Sequence, residues 1–191
     1  MNNKLLILNL GVDSENTSLA FTQKWINDIS LNFASVDVLT MKVGSKYQLN
    51  KNVNLFFIND QNTNYTKIYQ LRKLNKLTRK LIKNNNYTHC FAHMAPMQHL
   101  VAKFYLIQKN IKTTLWFTHS GPKFGIKWLI LWFSSLLANN IVTASKHSFP
   151  FRFKKVKCIG HGINFDNFFN ERKTFELKNI SILSRVSKSK N

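Results

Sequence analysis

Acidic side chains are scarce in this sequence: its 191 residues carry 8 Asp and Glu against 28 Lys and Arg, a formal net charge of +20. So few carboxylates cannot neutralise the cations pair by pair, and the surface must carry a strong positive field at neutral pH. Such a field draws polyanions: nucleic acid, an anionic lipid leaflet or a phosphorylated small molecule. Charge alone does not choose among them, and a coding bias toward Lys and Asn would raise the same count. Cysteine is nearly absent. Cys90 and Cys158 lie far apart, each in an apolar run, which excludes a disulfide framework and reads as two buried free thiols in a reducing cytoplasm. With 3 Pro and 6 Gly there is no Pro- or Gly-rich linker, and no internal repeat divides the chain. No apolar run approaches the roughly 20 residues of a membrane-spanning helix. The first ten residues lack the apolar region and small-residue cleavage site of a signal peptide, and read instead as a first strand.

What is present is enough apolar material for a core, 44% hydrophobic and 13% aromatic residues, in a chain whose length suits one well-buried domain. Short apolar runs at 5–10, 36–41, 53–58, 87–92, 113–118, 141–144, 156–159 and 180–183 are strand candidates, with helix-period segments between several of them. Runs apolar at successive positions suit strands covered on both faces, and strand–helix alternation is the pattern of a parallel, doubly wound sheet. The expected fold is α/β and Rossmann-like, with ligands outside the carboxyl ends of the strands.

Two helices stand out. Across 67–83, Ile68, Leu71, Leu74, Leu77, Leu81 and Ile82 recur at helical spacing, and Arg72, Lys73, Lys76, Arg79, Lys80 and Lys83 gather opposite them. That face reads as an ordinary solvated surface or as a cationic face for anionic headgroups. The segment 124–138 leaves almost no polar face, since Trp128, Leu129, Ile130, Leu131, Trp132 and Phe133 follow one another. It is expected to hide all round, between sheet and helices or partly in a membrane interface, where Trp is favoured.

From Leu115 the chain reads Leu-Trp-Phe-Thr-His-Ser-Gly; from Asn140, Asn-Ile-Val-Thr-Ala-Ser; from Lys155, Lys-Val-Lys-Cys-Ile-Gly-His-Gly-Ile-Asn-Phe-Asp-Asn-Phe. This order and spacing resemble the second half of the N-terminal domain of glycosyltransferase family 4, enzymes of the GT-B fold. There a strand ends at a His near the acceptor, a later strand ends in a Ser where a short helix starts, and another gives a Gly-Ile-Asp/Asn turn followed by Phe. The stretch from Gly11 to Trp25 looks like the loop and first helix that shape the acceptor pocket. Ile-Ser-Ile-Leu-Ser-Arg-Val-Ser-Lys-Ser-Lys-Asn, from Ile180, resembles the first strand and loop of the C-terminal domain, usually Gly-Arg followed five residues later by Lys. Arg185 and Lys190 match, while Ser184 replaces the Gly.

The resemblance implies residues 1–178 as an acceptor-side domain and 179–191 as the opening of a donor-binding domain whose remainder, with its Glu pair and nucleotide pocket, is not in this sequence. His119 is implied as the catalytic residue, polarising or positioning an acceptor hydroxyl. Gly11, Ser18, Ser145, His161 and Gly162 are implied to line the substrate cleft, and Arg185 and Lys190 to clamp the donor diphosphate and stabilise leaving-group charge. Read without the family, the same residues are a strand-end His, a helix cap at Ser145, a tight turn at Gly162 and tail charges.

His89, Cys90, His93, Met94, Met97 and His99 are the one group rich in metal-ligating types. A strand sends His89 and Cys90 to opposite faces, and Pro96 interrupts helical presentation of the rest, so no metal site is read. No cofactor is implied beyond the nucleotide sugar itself, which enters as substrate.

The leading expectation is therefore part of a retaining hexosyltransferase, moving a sugar from a nucleotide donor to a glycan or glycolipid acceptor, cytoplasmic or peripheral on the cytoplasmic membrane face. A second reading is a non-catalytic fragment or subunit that binds an acceptor, an anionic membrane or a complementary C-terminal domain on a partner chain. Nucleic acid is not expected as a partner, because the basic helix lacks interleaved aromatics and no zinc-finger spacing occurs.

Overall fold

Seven of the apolar runs form one all-parallel sheet in the computed structural model, which describes residues 3–16, 19–63, 65–121 and 124–160. The strands are β1 (Lys4–Val12), β2 (Ser35–Val43), β3 (Val53–Asn59), β4 (His89–His93), β5 (Lys112–Trp116), β6 (Asn140–Thr143) and β7 (Val156–Cys158). Four helices intervene: α1 (Phe21–Ser30), α2 (Lys67–Asn84), α3 (Pro96–Gln108) and α4 (Ile126–Leu137). The run at 180–183 and the boundary between 178 and 179 lie outside the described residues.

Strand order is β3-β2-β1-β4-β5-β6-β7, so the direction of winding reverses between β1 and β4. In open α/β sheets that reversal is where ligands bind, outside the carboxyl ends of the strands. Side-chain parity decides which helix covers which face. Leu6 and Leu8 point into a core shared with Leu74 of α2, Ala102 and Leu106 of α3, and Leu131 of α4. Leu5 and Ile7 point the other way, against Ile26 and Trp25 of α1. Each fully buried Leu or Ile contributes about 1.5–3 kcal/mol, and this two-sided burial is why the strands read as unbroken apolar runs.

Several local readings need correction. Lys73 leaves the cationic face of α2: it is half-buried, donates to the Ile58 carbonyl at 2.6 Å and lies over the Tyr65 ring at 5.2 Å. Pro96 does not interrupt a helix but starts α3, where its missing N–H costs nothing. Cys90 is buried and its thiol is pushed up to about 12 by burial, but Cys158 is exposed. Helix α4 is not buried all round between sheet and helices, because Leu131, Ser134 and Ser135 are buried while Ile126, Leu129, Phe133, Leu136 and Leu137 are exposed.

Candidate functional site

The candidate site is the carboxyl edge where β1, β4, β5 and β6 end, and the crevice expected at its reversal is named for that edge. Asn9 sits near the end of β1 with no exposure; its Nδ2 donates to the Gly11 carbonyl at 2.8 Å and its Oδ1 accepts from the Leu10 N–H at 2.7 Å. Gln98 in the first turn of α3 donates to the Asn9 carbonyl at 3.3 Å, which ties the start of that helix to the floor of the crevice. Beside it, Met94 has φ 53°, a left-handed conformation unusual for its type. Its N–H donates to the Trp116 carbonyl at 2.9 Å and its sulfur accepts from the Thr118 N–H at 3.3 Å. The exits of β4 and β5 are thus stitched together.

Between those exits lies His93. Parallel register sets Asn9, His93 and Trp116 side by side across three strands. The His93 ring is 9% exposed and is boxed by Trp25 (centroids 4.7 Å apart), Phe21 (5.8 Å) and Trp116 (6.3 Å). Burial among these rings pushes its pKa down to about 4, so the imidazole is neutral at pH 7. Its Nδ1 is buried without a hydrogen-bond partner among the described residues, as is the Nε1 of Trp25 packed against it. Two orphaned nitrogens, both closed off from solvent, thus stand in one aromatic box beside the carboxyl edge, a polar position inside an apolar wall.

The residues expected from sequence distribute as follows. His119 is exposed beyond the end of β5, and its ring meets Phe117 edge-on at 6.3 Å. Gly11 belongs to β1 itself rather than to the loop after it. A Cβ there would come within 2.5 Å of Leu19 Cδ1, and its carbonyl accepts from Thr22 of α1 at 3.0 Å. Ser145 follows β6 in a turn, its Oγ 2.6 Å from Ser148 Oγ, and no helix starts there. Nearby, the Thr143 hydroxyl is buried and unpartnered among the described residues. Gly11, His119 and Ser145 therefore share the carboxyl edge, Gly11 within β1 and the other two just beyond the ends of β5 and β6. Ser18, His161, Gly162, Arg185 and Lys190 lie outside the described residues. In β4, His89, Phe91 and His93 take one side and Cys90 and Ala92 the other, and among the described residues no three His, Cys, Asp or Glu side chains converge as a metal site.

His93 and Trp25 are the site residues that sequence reasoning missed. Strand parity carried the signal: a His closing the strand next to β1 stands at the reversal of the sheet, whatever ligand types surround it in sequence.

No family model matches this chain, and no curated protein matches it. Solved structures do, at 8–13% identity, which speaks for the fold alone. MurG of Acinetobacter baumannii superposes with a TM-score of 0.55 at 9% identity, over 90% of this chain and 50% of its own. A glycosyltransferase of Rickettsia africae gives 0.54 at 13% identity, over 88% and 45%. Alr3699/HepE of Anabaena, solved in complex with UDP, gives 0.53 at 13%, over 85% and 45%. UDP-GlcNAc 2-epimerase of Neisseria meningitidis, bound to UDP-GlcNAc, gives 0.51 at 8%, over 76% and 41%. The chain thus spans about half the length, or less, of these enzymes, and its fold is that of one domain of GT-B-type glycosyltransferases and nucleotide-sugar epimerases.

Proposed function

We propose that this chain supplies the acceptor side of a family 4-type glycosyltransferase that moves a sugar from a nucleotide donor to a glycan or lipid-linked saccharide. The observation that carries the reading is the His93–Trp25 box at the reversal of the sheet. It sets unpaired, buried nitrogens among aromatic rings next to the edge where this fold takes its ligands, and a saccharide that displaces the covering rings would meet both. Sugars offer such a site what it lacks, hydroxyls for the orphaned nitrogens and C–H faces for the rings. A neutral imidazole can accept a hydrogen bond from a hydroxyl, or donate one, without bringing a charge into the apolar wall.

Within this reading His119, in solvent at the mouth of the crevice, takes the role of positioning the attacking hydroxyl or receiving its proton as the glycosidic bond to the donor breaks. His93 holds a neighbouring hydroxyl of the acceptor. The donor diphosphate, two negative charges that grow as the bond breaks, would be met by Arg185 and Lys190. The likeness to enzymes solved with UDP and UDP-GlcNAc supports a nucleotide sugar as donor. No step calls on a metal or a redox cofactor.

Saturation-transfer NMR on the full chain, with a panel of mono- and disaccharides and with UDP and GDP, tests the acceptor role. Saturation is expected on the protons of at least one saccharide and is lost in His93→Phe, which keeps the ring and removes its nitrogens. Saturation confined to the nucleotides, or a saccharide signal that survives His93→Phe unchanged, would overturn the reading.

A further inference from the structure

Helix α4 is turned inside out relative to an ordinary surface helix. Its hydroxyls face the protein: Ser134 Oγ lies 2.8 Å from His99 Nδ1 and Ser135 Oγ donates to the Leu131 carbonyl at 2.6 Å, both side chains fully buried. Its apolar side chains face out. Ile126 (71% exposed), Leu129, Phe133 and Leu136 follow one another at three- and four-residue steps, with Phe124 at 88% just before the helix. A helix against water carries its polar residues on that side, so the stripe needs a cover. Helix α3, packed on α4, adds Phe104 at 65% and Ile107 at 58% exposure.

The charges around this stripe have one sign. Lys127 is exposed on α4 itself. Alongside, Phe151 packs edge-on against Trp128 at 5.5 Å and Phe153 follows Phe151 at 5.9 Å, while Arg152 and Lys154 between and beyond them are exposed. Trp128 and Trp132 stack 6.3 Å apart, half-buried along the flank of α4. From Asp60 to Asp166 the sequence contains 17 Lys and Arg and not one intervening Asp or Glu.

We propose that the outward stripe of α4, rimmed by Lys127, Arg152 and Lys154, docks on an anionic lipid bilayer with the helix lying in the plane of the interface. Apolar side chains enter the acyl boundary, Trp128 and Trp132 sit at headgroup level, and the cations meet anionic headgroups. The 12 residues of α4 are too short to span a bilayer, and no helix among the described residues is long and apolar enough to do so. Nucleic acid would satisfy the cations but leave Leu129 and Phe133 in water. A protein partner would need a patch both apolar and acidic. The inference rests on α4 and its rim alone, not on sugar transfer, so the two tests fail independently.

Sedimentation of the full chain with vesicles of phosphatidylcholine containing about one-third phosphatidylglycerol, against phosphatidylcholine alone, is the test. Binding to the anionic vesicles is expected to be roughly tenfold or more tighter, each lost cation costing about fivefold. Arg152→Gln/Lys154→Gln should weaken binding to anionic vesicles only. Leu129→Ser/Phe133→Ser should abolish binding to both while leaving the melting temperature in place, and brominated lipid should quench the tryptophan fluorescence of the wild type. Four results overturn the proposal: no preference for anionic vesicles; a dimer in sedimentation equilibrium that Leu129→Ser/Phe133→Ser dissociates; a drop of several degrees in melting temperature in that variant without vesicle binding, which means the chain itself covers the stripe; or tight binding to oligonucleotides that the variant retains in place of vesicle binding.

Discussion

At the scale of single residues the most informative groups are two histidines that burial keeps neutral. His93 and His99 are both pushed down to about 4, each chiefly by burial, with Lys103 and Lys155 adding to the effect on His99. The unfolded chain protonates its histidines near 6.5, so between pH 6.5 and 4 the unfolded state binds protons that the folded state refuses. Stability is therefore complete above about pH 6.5 and falls with decreasing pH by up to about 1.4 kcal/mol per unit for each His. Urea midpoints measured from pH 7.5 to 4.5 should drop accordingly, and His93→Phe should flatten the slope by about one proton; an unchanged slope would mean His93 is not buried as described. Gly11→Ala is expected to cost about 1–2 kcal/mol, because the new methyl drives Leu19 off β1. A shift in melting temperature reports it. Neither effect was legible in the sequence. Gly11 reads there as a loop glycine, since nothing local tells that β1 runs on to Val12, and His93 reads as one ligand-type residue among six.

At the scale of elements, the period of the apolar residues located β1–β7 and α2 in the sequence, because burial on both faces or on one stripe imposes it. The same pattern misled at α3 and α4. Pro96 breaks a helix only in its interior and opens one at its first position; flanking residues do not distinguish the two without knowing where β4 ends. For α4, composition announces an apolar helix but not its orientation. That is set by His99, whose ring needs Ser134 and so turns the hydroxyl side inward. Ser134→Ala should therefore destabilise by about 1–3 kcal/mol through the orphaned imidazole, whereas Phe133→Ser, on the opposite side, should be nearly neutral. Denaturant midpoints of the two variants compare them directly, and the reverse order would mean that the outward stripe is a packed surface.

Across the whole molecule the excess of positive charge opposes compaction. Ion pairs among the described residues include Lys4–Asp37, Lys24–Asp28 and Lys46–Glu15, and Lys4–Asp37 alone has a buried partner. Repulsion among the remaining cations is long-ranged and screened by salt, so the melting temperature is expected to rise as sodium chloride is raised from low to moderate concentration. A fall would mean that the ion pairs outweigh the repulsion. The fold itself was legible because parallel sheets buried on both faces leave an apolar signature in every strand. The crevice was only half legible: strand ends locate the edge, but the pairing of Asn9, His93 and Trp116 depends on strand order, which no local pattern encodes.

Whether this edge receives a sugar can be read from amide chemical-shift mapping of the labelled chain with a bound saccharide. Perturbations are expected to concentrate at the exits of β1, β4 and β5, around Leu10, Met94 and Thr118, with the side-chain N–H of Trp25 among the largest. Perturbations confined to the helical face around α3 and α4, with the strand exits unmoved, would contradict it.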